Sequence, residues 1–204
     1  ILGFSDLKIN SVAAQMSRGK LEKSVAISLS AFGDTLSKFC MDICLYMGQD
    51  YDFISFPNDL TTGSSIMPHK KNPDLFELAR AKFNMIKGLP NQLTLLTSNL
   101  PSGYHRDIQQ AKGVIIESIN ETKACLEILL LSLPKIKVSN NITDQKKYDH
   151  LFTVESLNKE VLKGKAFRDA YRNLANIIEK GKFKPDRNVK HKHIGSLGNL
   201  GIDR

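Results

Sequence analysis

The sequence predicts an all-α fold. Three observations carry that reading. Apolar residues recur at heptad spacing from Val25 to Tyr46, two further long stretches repeat apolar residues at helical spacing, and no useful run alternates apolar with polar residues.

In the first stretch, Leu21 to Met47, the residues Val25, Leu29, Phe32, Leu36, Phe39, Ile43 and Tyr46 step alternately by four and three. A seam this regular predicts a long helix lying nearly parallel to others, inside a subunit or across a subunit interface. After "GQDYDFISFPNDL" comes a polar connector, residues 61–74, read as "TTGSSIMPHKKNPD". A second helix is expected from Pro73 or Asp74, carrying Leu75, Leu78, Ala79, Ile86 and Leu89, with a kink at Gly88 and Pro90 before "NQLTLLTS". The interrupted turn "NLPSGYHRDIQQAKG" leads into a third long helix through Ile115, Ile119, Leu126, Leu129 and Leu133, which Pro134 ends. The polar stretch "KIKVSNNITDQ" marks a boundary, giving a helical-bundle domain at 1–134 and a small helical domain at 135–204. Two shorter helices are expected there, Thr153 to Leu162 with Thr153 as N-cap, and Ala166 to Lys180 stopped by Gly181.

Composition narrows the partners. The formal charge is +8 over 204 residues, but aromatics make up 7% with no Trp and do not interleave the basic "KGKFKPDRNVKHKH" stretch. The charge therefore fits attraction of small polyanions better than nucleic-acid binding. No apolar run approaches the roughly 18 residues that span a bilayer, and no signal pattern opens the chain, so neither membrane nor export is expected. Cys40, Cys44 and Cys125 are odd in number and widely spaced, which predicts free thiols in a reducing, cytoplasmic setting. No metal or cofactor is expected; His191 and His193 are read as part of a solvated basic segment.

The connector concentrates the chemistry. Gly63 permits a sharp turn, Ser64 and Ser65 offer hydroxyls and amides, Lys70 and Lys71 bring cations, and Asn72 brings an amide. Together they make a good receptor for a carboxylate, although a loop of this composition alone is most often a solvated connector. It has neither P-loop spacing nor a His-Glu-x-x-His or Gly-x-Ser-x-Gly motif.

"GSSIMPHKKNP" resembles the Gly-Ser-Ser-x-Met-Pro-x-Lys-x-Asn-Pro signature of the fumarase/aspartase superfamily, whose members release fumarate from a succinate unit. "FPNDLTTGSSIMPHKKNPDLFELARAK", "NLPSGYHRDIQQAK" and "GKAFRDAYR" are most similar to the argininosuccinate lyase family within it. The resemblance implies a long-helix bundle and a homotetramer whose active sites combine three subunits. It also implies argininosuccinate as substrate, with arginine and fumarate as products and no cofactor. On the matching positions, Ser64 becomes the general base, Lys70 and Asn72 grip the carboxylate whose charge grows, and Glu77 pairs with a histidine from another segment. Thr62 and Ser65 bond substrate, Tyr104, Gln109 and Lys112 hold its other groups, and Arg18 in "QMSRGK" matches an arginine whose flanking residues differ here. His69 replaces the usual Gln and carries no proton-transfer role. The similarity covers the second half of the family's subunit, so the chain is expected to be a piece that turns over poorly by itself. Adenylosuccinate lyase, or a crystallin-like scaffold without activity, remain the alternative readings.

Overall fold

A helix of 27 residues organises the first half of the chain. In the computed structural model, which describes residues 3–189 and 191–203, α1 (Ser11–Met16) is followed by α2 (Lys20–Tyr46). Asn10 caps α1 by accepting the Ala13 N–H at 2.9 Å. α2 begins after Gly19, whose φ of 83° favours glycine and where a Cβ would also meet the Thr97 methyl at 2.9 Å.

The chain then passes β1 (Ile54–Ser55) and the connector to reach α3 (Asp74–Lys87). The expected kink is a clean break: α3 caps at Gly88 and α4 (Leu89–Leu96) restarts with Pro90 in its first turn, where a missing N–H costs little. α5 (Gln110–Ser132) follows a short 3₁₀ turn at Arg106–Gln109 and ends at a second one, Leu133–Lys135, containing Pro134.

The seam of α2 is rotated from the sequence expectation. Its buried residues are Ala26, Gly33, Ser37, Cys40 and Ile43, whereas Val25 and Phe32 are 43% and 41% exposed. The reason is backbone approach. α2 packs against α3 through small side chains, and a Cβ on Gly33 would stand 3.1 Å from the Phe83 carbonyl oxygen. Where the backbones come closest the larger seam residues Val25 and Phe32 cannot occupy that line and flank it, while Ile43 joins it further along α2.

Two core clusters result. One sits toward the C-terminal end of α2, where Cys40 and Ile43 pack with Phe56, Leu60, Phe76, Phe83, Cys125 and Leu129. The other sits toward its N-terminal half, where Ala26 packs with Leu89, Leu93 and Ala111. Burial pushes all three thiols up, Cys40 to about 11 with Cys44 and Cys125 adding to the effect, so they are unreactive near neutrality.

The chain forms two compact units, Ile1–Ser139 and Asn140–Arg204. Residues 135–139 fold with the first because β2 (Lys137–Val138) pairs antiparallel with β1, matching Ile54 to Val138. Ser139 adds an N–H bond to the Phe53 carbonyl at 2.8 Å, and Lys135 pairs with Asp59 at 3.0 Å. This short strand pair was not visible in the sequence pattern, since two residues cannot show alternation.

The second unit contains α6 (Thr153–Leu162) and α7 (Phe167–Glu179), which bury Leu157 and Ala170. Thr153 is not the expected N-cap. A 3₁₀ helix, Lys146–Phe152, runs directly into α6, and the Thr153 hydroxyl donates back to the His150 carbonyl at 2.8 Å. Gly181 does stop α7: at φ 64° it donates to the Ile178 carbonyl at 2.8 Å while Lys182 donates to Ile177 at 3.0 Å. Among the described residues no helix is long and apolar enough to cross a membrane.

Candidate active site

The connector between Leu60 and Asp74 is a closed loop with a defined neck. Thr62 and Asn72 face each other as an antiparallel bridge, with the Asn72 N–H on the Thr62 carbonyl at 2.8 Å and the reverse bond at 3.3 Å. The Asn72 side-chain amide also reaches the Gly63 carbonyl at 3.4 Å, and the Thr62 hydroxyl donates to the Asp74 carboxylate. Leu60 on one side and Phe76 on the other are buried in the larger core cluster, so both ends of the neck are anchored.

Ser64 stands just beyond that neck and is half-buried. Its hydroxyl oxygen accepts the backbone N–H groups of Ile66 and Met67, each at 3.2 Å. Two amide dipoles thus converge on one oxygen, an arrangement that favours negative charge there. Gly63 has open space where a Cβ would be and no left-handed backbone, so no close approach demands glycine at this point. Ser65, His69, Lys70 and Lys71 are exposed, and among the described residues neither lysine has an ion-pair partner. Glu77 points outward from the first turn of α3 and is exposed.

A second cluster forms where α2 begins. The Arg18 guanidinium donates to Glu22 at 3.1 Å, and Glu22 also accepts the Gly19 N–H at 2.6 Å. Burial alone would raise the Glu22 carboxyl, but bonds from its own N–H, Arg18 and Gly19 outweigh it and hold the group below the ordinary range. A cavity of about 230 Å³ opens between Arg18 and the segment Leu100 to Ile108, with His105 on its wall and bonded to the Pro101 carbonyl at 2.9 Å. Tyr104 accepts the Gln109 amide N–H on its hydroxyl at 3.0 Å; Lys112 is exposed one turn into α5.

The structure does not bring these two clusters together. The loop is anchored beside Cys40 and Ile43, and the Tyr104 to Lys112 segment beside Ala26 through Ala111. At 1.5 Å per residue, Ala26 and Ile43 lie about 25 Å apart along α2. Among the described residues no hydrogen bond joins loop 61–74 to residues 101–112. A single copy therefore keeps the two clusters apart.

Comparison with known proteins agrees with this architecture. A family model described as lyase matches residues 5–88. Argininosuccinate lyase from Parabacteroides distasonis is 50% identical over 200 residues, covering 98% of this chain and 45% of that protein. The chain is thus similar to lyases over that segment and to argininosuccinate lyases along nearly its whole length. Argininosuccinate lyase from Bacteroides thetaiotaomicron is 48% identical over 203 residues, and that from Thermotoga neapolitana 38% over 174. The chain spans about half the length of the curated relatives it matches. Among solved structures, EDDS lyase in complex with formate superposes with a TM-score of 0.62 at 21% identity, covering 88% of this chain and 37% of that one. An EDDS lyase variant with bound fumarate gives 0.61 at 20%. These establish a shared fold.

Sequence reading named the loop residues and Arg18, Tyr104, Gln109 and Lys112, but missed Glu22, which holds Arg18, and the groups that hold the loop. The amides of Ile66 and Met67 and the Asp74 carboxylate carry no motif label. A serine two residues before a loop turn is the available signal for the first, since it commonly accepts downstream N–H groups.

Proposed function

We propose that this chain supplies two half-sites of an argininosuccinate lyase, which eliminates fumarate from argininosuccinate and leaves arginine. The observation that carries the reading is Ser64, whose oxygen sits on two backbone amides in a loop with a pinned neck. The proton to be removed is on carbon beside a carboxylate and is weakly acidic, so the base must be strong. A serine hydroxyl becomes one only if its alkoxide is stabilised, and two amides with the unpaired Lys70 nearby in sequence supply that.

Ser64 takes the carbon-bound proton, and the electron pair moves onto the adjacent carboxylate as an aci-carboxylate. It then returns to form the fumarate double bond as the carbon–nitrogen bond breaks and the departing nitrogen is protonated. Lys70 and the free positions of the Asn72 amide hold the carboxylate as its charge grows, an interaction stronger in the transition state than in the substrate. Ser65 bonds substrate on the same loop, and Glu77 orients a histidine supplied from outside this chain. Tyr104, Gln109, Lys112 and Arg18 hold the remaining ligand groups in the second half-site.

Because the two clusters are anchored beside residues about 25 Å apart along α2, a working centre needs the loop of one copy beside the Tyr104 end of another. We therefore propose a homotetramer with shared centres, its contacts made by the large seam residues that α3 leaves uncovered, such as Val25 and Phe32. The 204-residue chain alone should turn over poorly.

The test is fumarate release, followed by its ultraviolet absorbance after argininosuccinate is added. It is run on this chain alone and on the chain joined to the remaining segment of its Parabacteroides relative. Activity only in the joined protein supports the reading. None in either, with tetramers formed, moves it to a sister lyase or an inactive scaffold.

A further inference from the structure

The loop neck carries a side-chain bond that the lyase motif does not explain. Asp74 is the first residue of α3, and α3 is fixed by the buried Phe76 and Ala79. Its carboxylate accepts the hydroxyl of Thr62, twelve positions upstream on the opposite side of the loop. The incoming edge of the loop is thereby tied directly to a rigid helix. Without that tie, the two edges meet only through the paired main-chain bonds of Thr62 and Asn72 and the long Asn72 amide contact.

We propose that Thr62 and Asp74 form a latch that sets the position of Ser64, resting on the reading of Ser64 as base. Thr62 is then a positioning residue, not a substrate donor, because its one hydroxyl proton is already committed. Residues Gly63 to Lys71 form the flap above the latch, and of these only Ser64 is half-buried. Ser64 lies two residues from Thr62, so the neck geometry is inherited almost directly by the base. A displacement of about 1 Å at a reacting group can cost about 100-fold in rate. The latch also has a favourable charge placement, since Asp74 puts its carboxylate at the N-terminus of α3.

The experiment compares Thr62→Val, Thr62→Ser, Asp74→Ala and the Thr62→Val/Asp74→Ala double variant. Two readouts are used: fumarate release by the protein joined to its relative's remaining segment, and amide hydrogen exchange on the 204-residue chain. Thr62→Val and Asp74→Ala should each lower kcat by about 10- to 100-fold with KM little changed, because positioning and not binding is lost. The double variant should be no worse than either single, as expected for two residues acting as one unit. Thr62→Ser, which keeps the hydroxyl, should restore the rate. In the exchange experiment the Thr62 and Asn72 amides should lose protection in Thr62→Val and Asp74→Ala but keep it in Thr62→Ser.

A raised KM for Thr62→Val with additive effects of the two changes would make Thr62 a substrate ligand and overturn the latch. Unchanged exchange at Thr62 and Asn72 in both variants would overturn it as well. If the parent protein releases no fumarate, the lyase reading fails while exchange still decides the latch.

Discussion

The two half-sites are built on opposite principles. At the Tyr104 end the polar groups, Lys112 aside, are already spoken for: Arg18 is bound to Glu22, Gln109 to Tyr104 and His105 to Pro101. At the loop end the bonding is concentrated in the neck, while Ser65, Lys70 and Lys71 beyond it are exposed and without ion-pair partners. One end is largely pre-bonded and the other is an open flap with one held serine. Such a pairing suits a reaction that must admit substrate and then exclude water. It also means that damage at each end should read out differently.

The largest expected effect tests whether the loop does chemistry at all. In the joined protein, Ser64→Ala should cut fumarate release by about 10²- to 10⁴-fold, the usual share of a positioned base. Its unfolding free energy should stay within about 0.5 kcal/mol of the parent, since the residue lies outside both core clusters. Retained activity would show that the loop has been assigned the wrong role. The same variant also tests the separation of the half-sites. Mixed and reassembled with a Lys112→Ala protein, it should regain activity that neither possesses alone, because an intact loop and an intact Lys112 can come from different copies. Failure to recover, with mixed tetramers demonstrated, would mean both half-sites serve one centre from the same copy.

The next effect is on stability and should strike both ends at once. Phe83 is fully buried and faces Gly33, where α2 and α3 come closest. Phe83→Ala should lower unfolding free energy by about 3–5 kcal/mol, measured by urea titration of this chain. Gly33→Ala should destabilise in the opposite sense, by crowding the Phe83 carbonyl. If Gly33→Ala were neutral, the small-residue line would not be what rotates the seam.

That rotation shows where sequence legibility ends. The length and position of α2, α3 and α5 follow from apolar spacing, turn residues and Pro134, and these are local properties. Which side of α2 is buried depends on how closely α3 approaches, and spacing favoured the larger residues when Gly33 and Ala26 decided the matter. The β1–β2 pair joins residues more than eighty apart in two-residue strands and leaves no periodic trace. In the loop, the motif names Ser64, Lys70 and Asn72 without saying how they are bonded. Nothing local ties Thr62 to Asp74, and no motif carries the distance from Ser64 to Tyr104. Pairings across the fold had to be seen.

The smallest effect separates the two ends by pH. The folded Glu22 carboxyl titrates below its ordinary value, so it contributes stability that is fully present above about pH 4.5 and is lost as pH falls through the lowered value. Glu22→Ala should therefore cost about 1 kcal/mol at pH 7, the scale of a lost helix-start bond, and progressively less on acidification. Hydrogen exchange can localise the loss. Acid should loosen the Gly19 amide, which donates to Glu22, before it loosens the Met47 amide at the other end of α2, whose partner is the neutral Ile43 carbonyl. If both amides open together on acidification, the loss is global and Glu22 is not what fixes the start of α2.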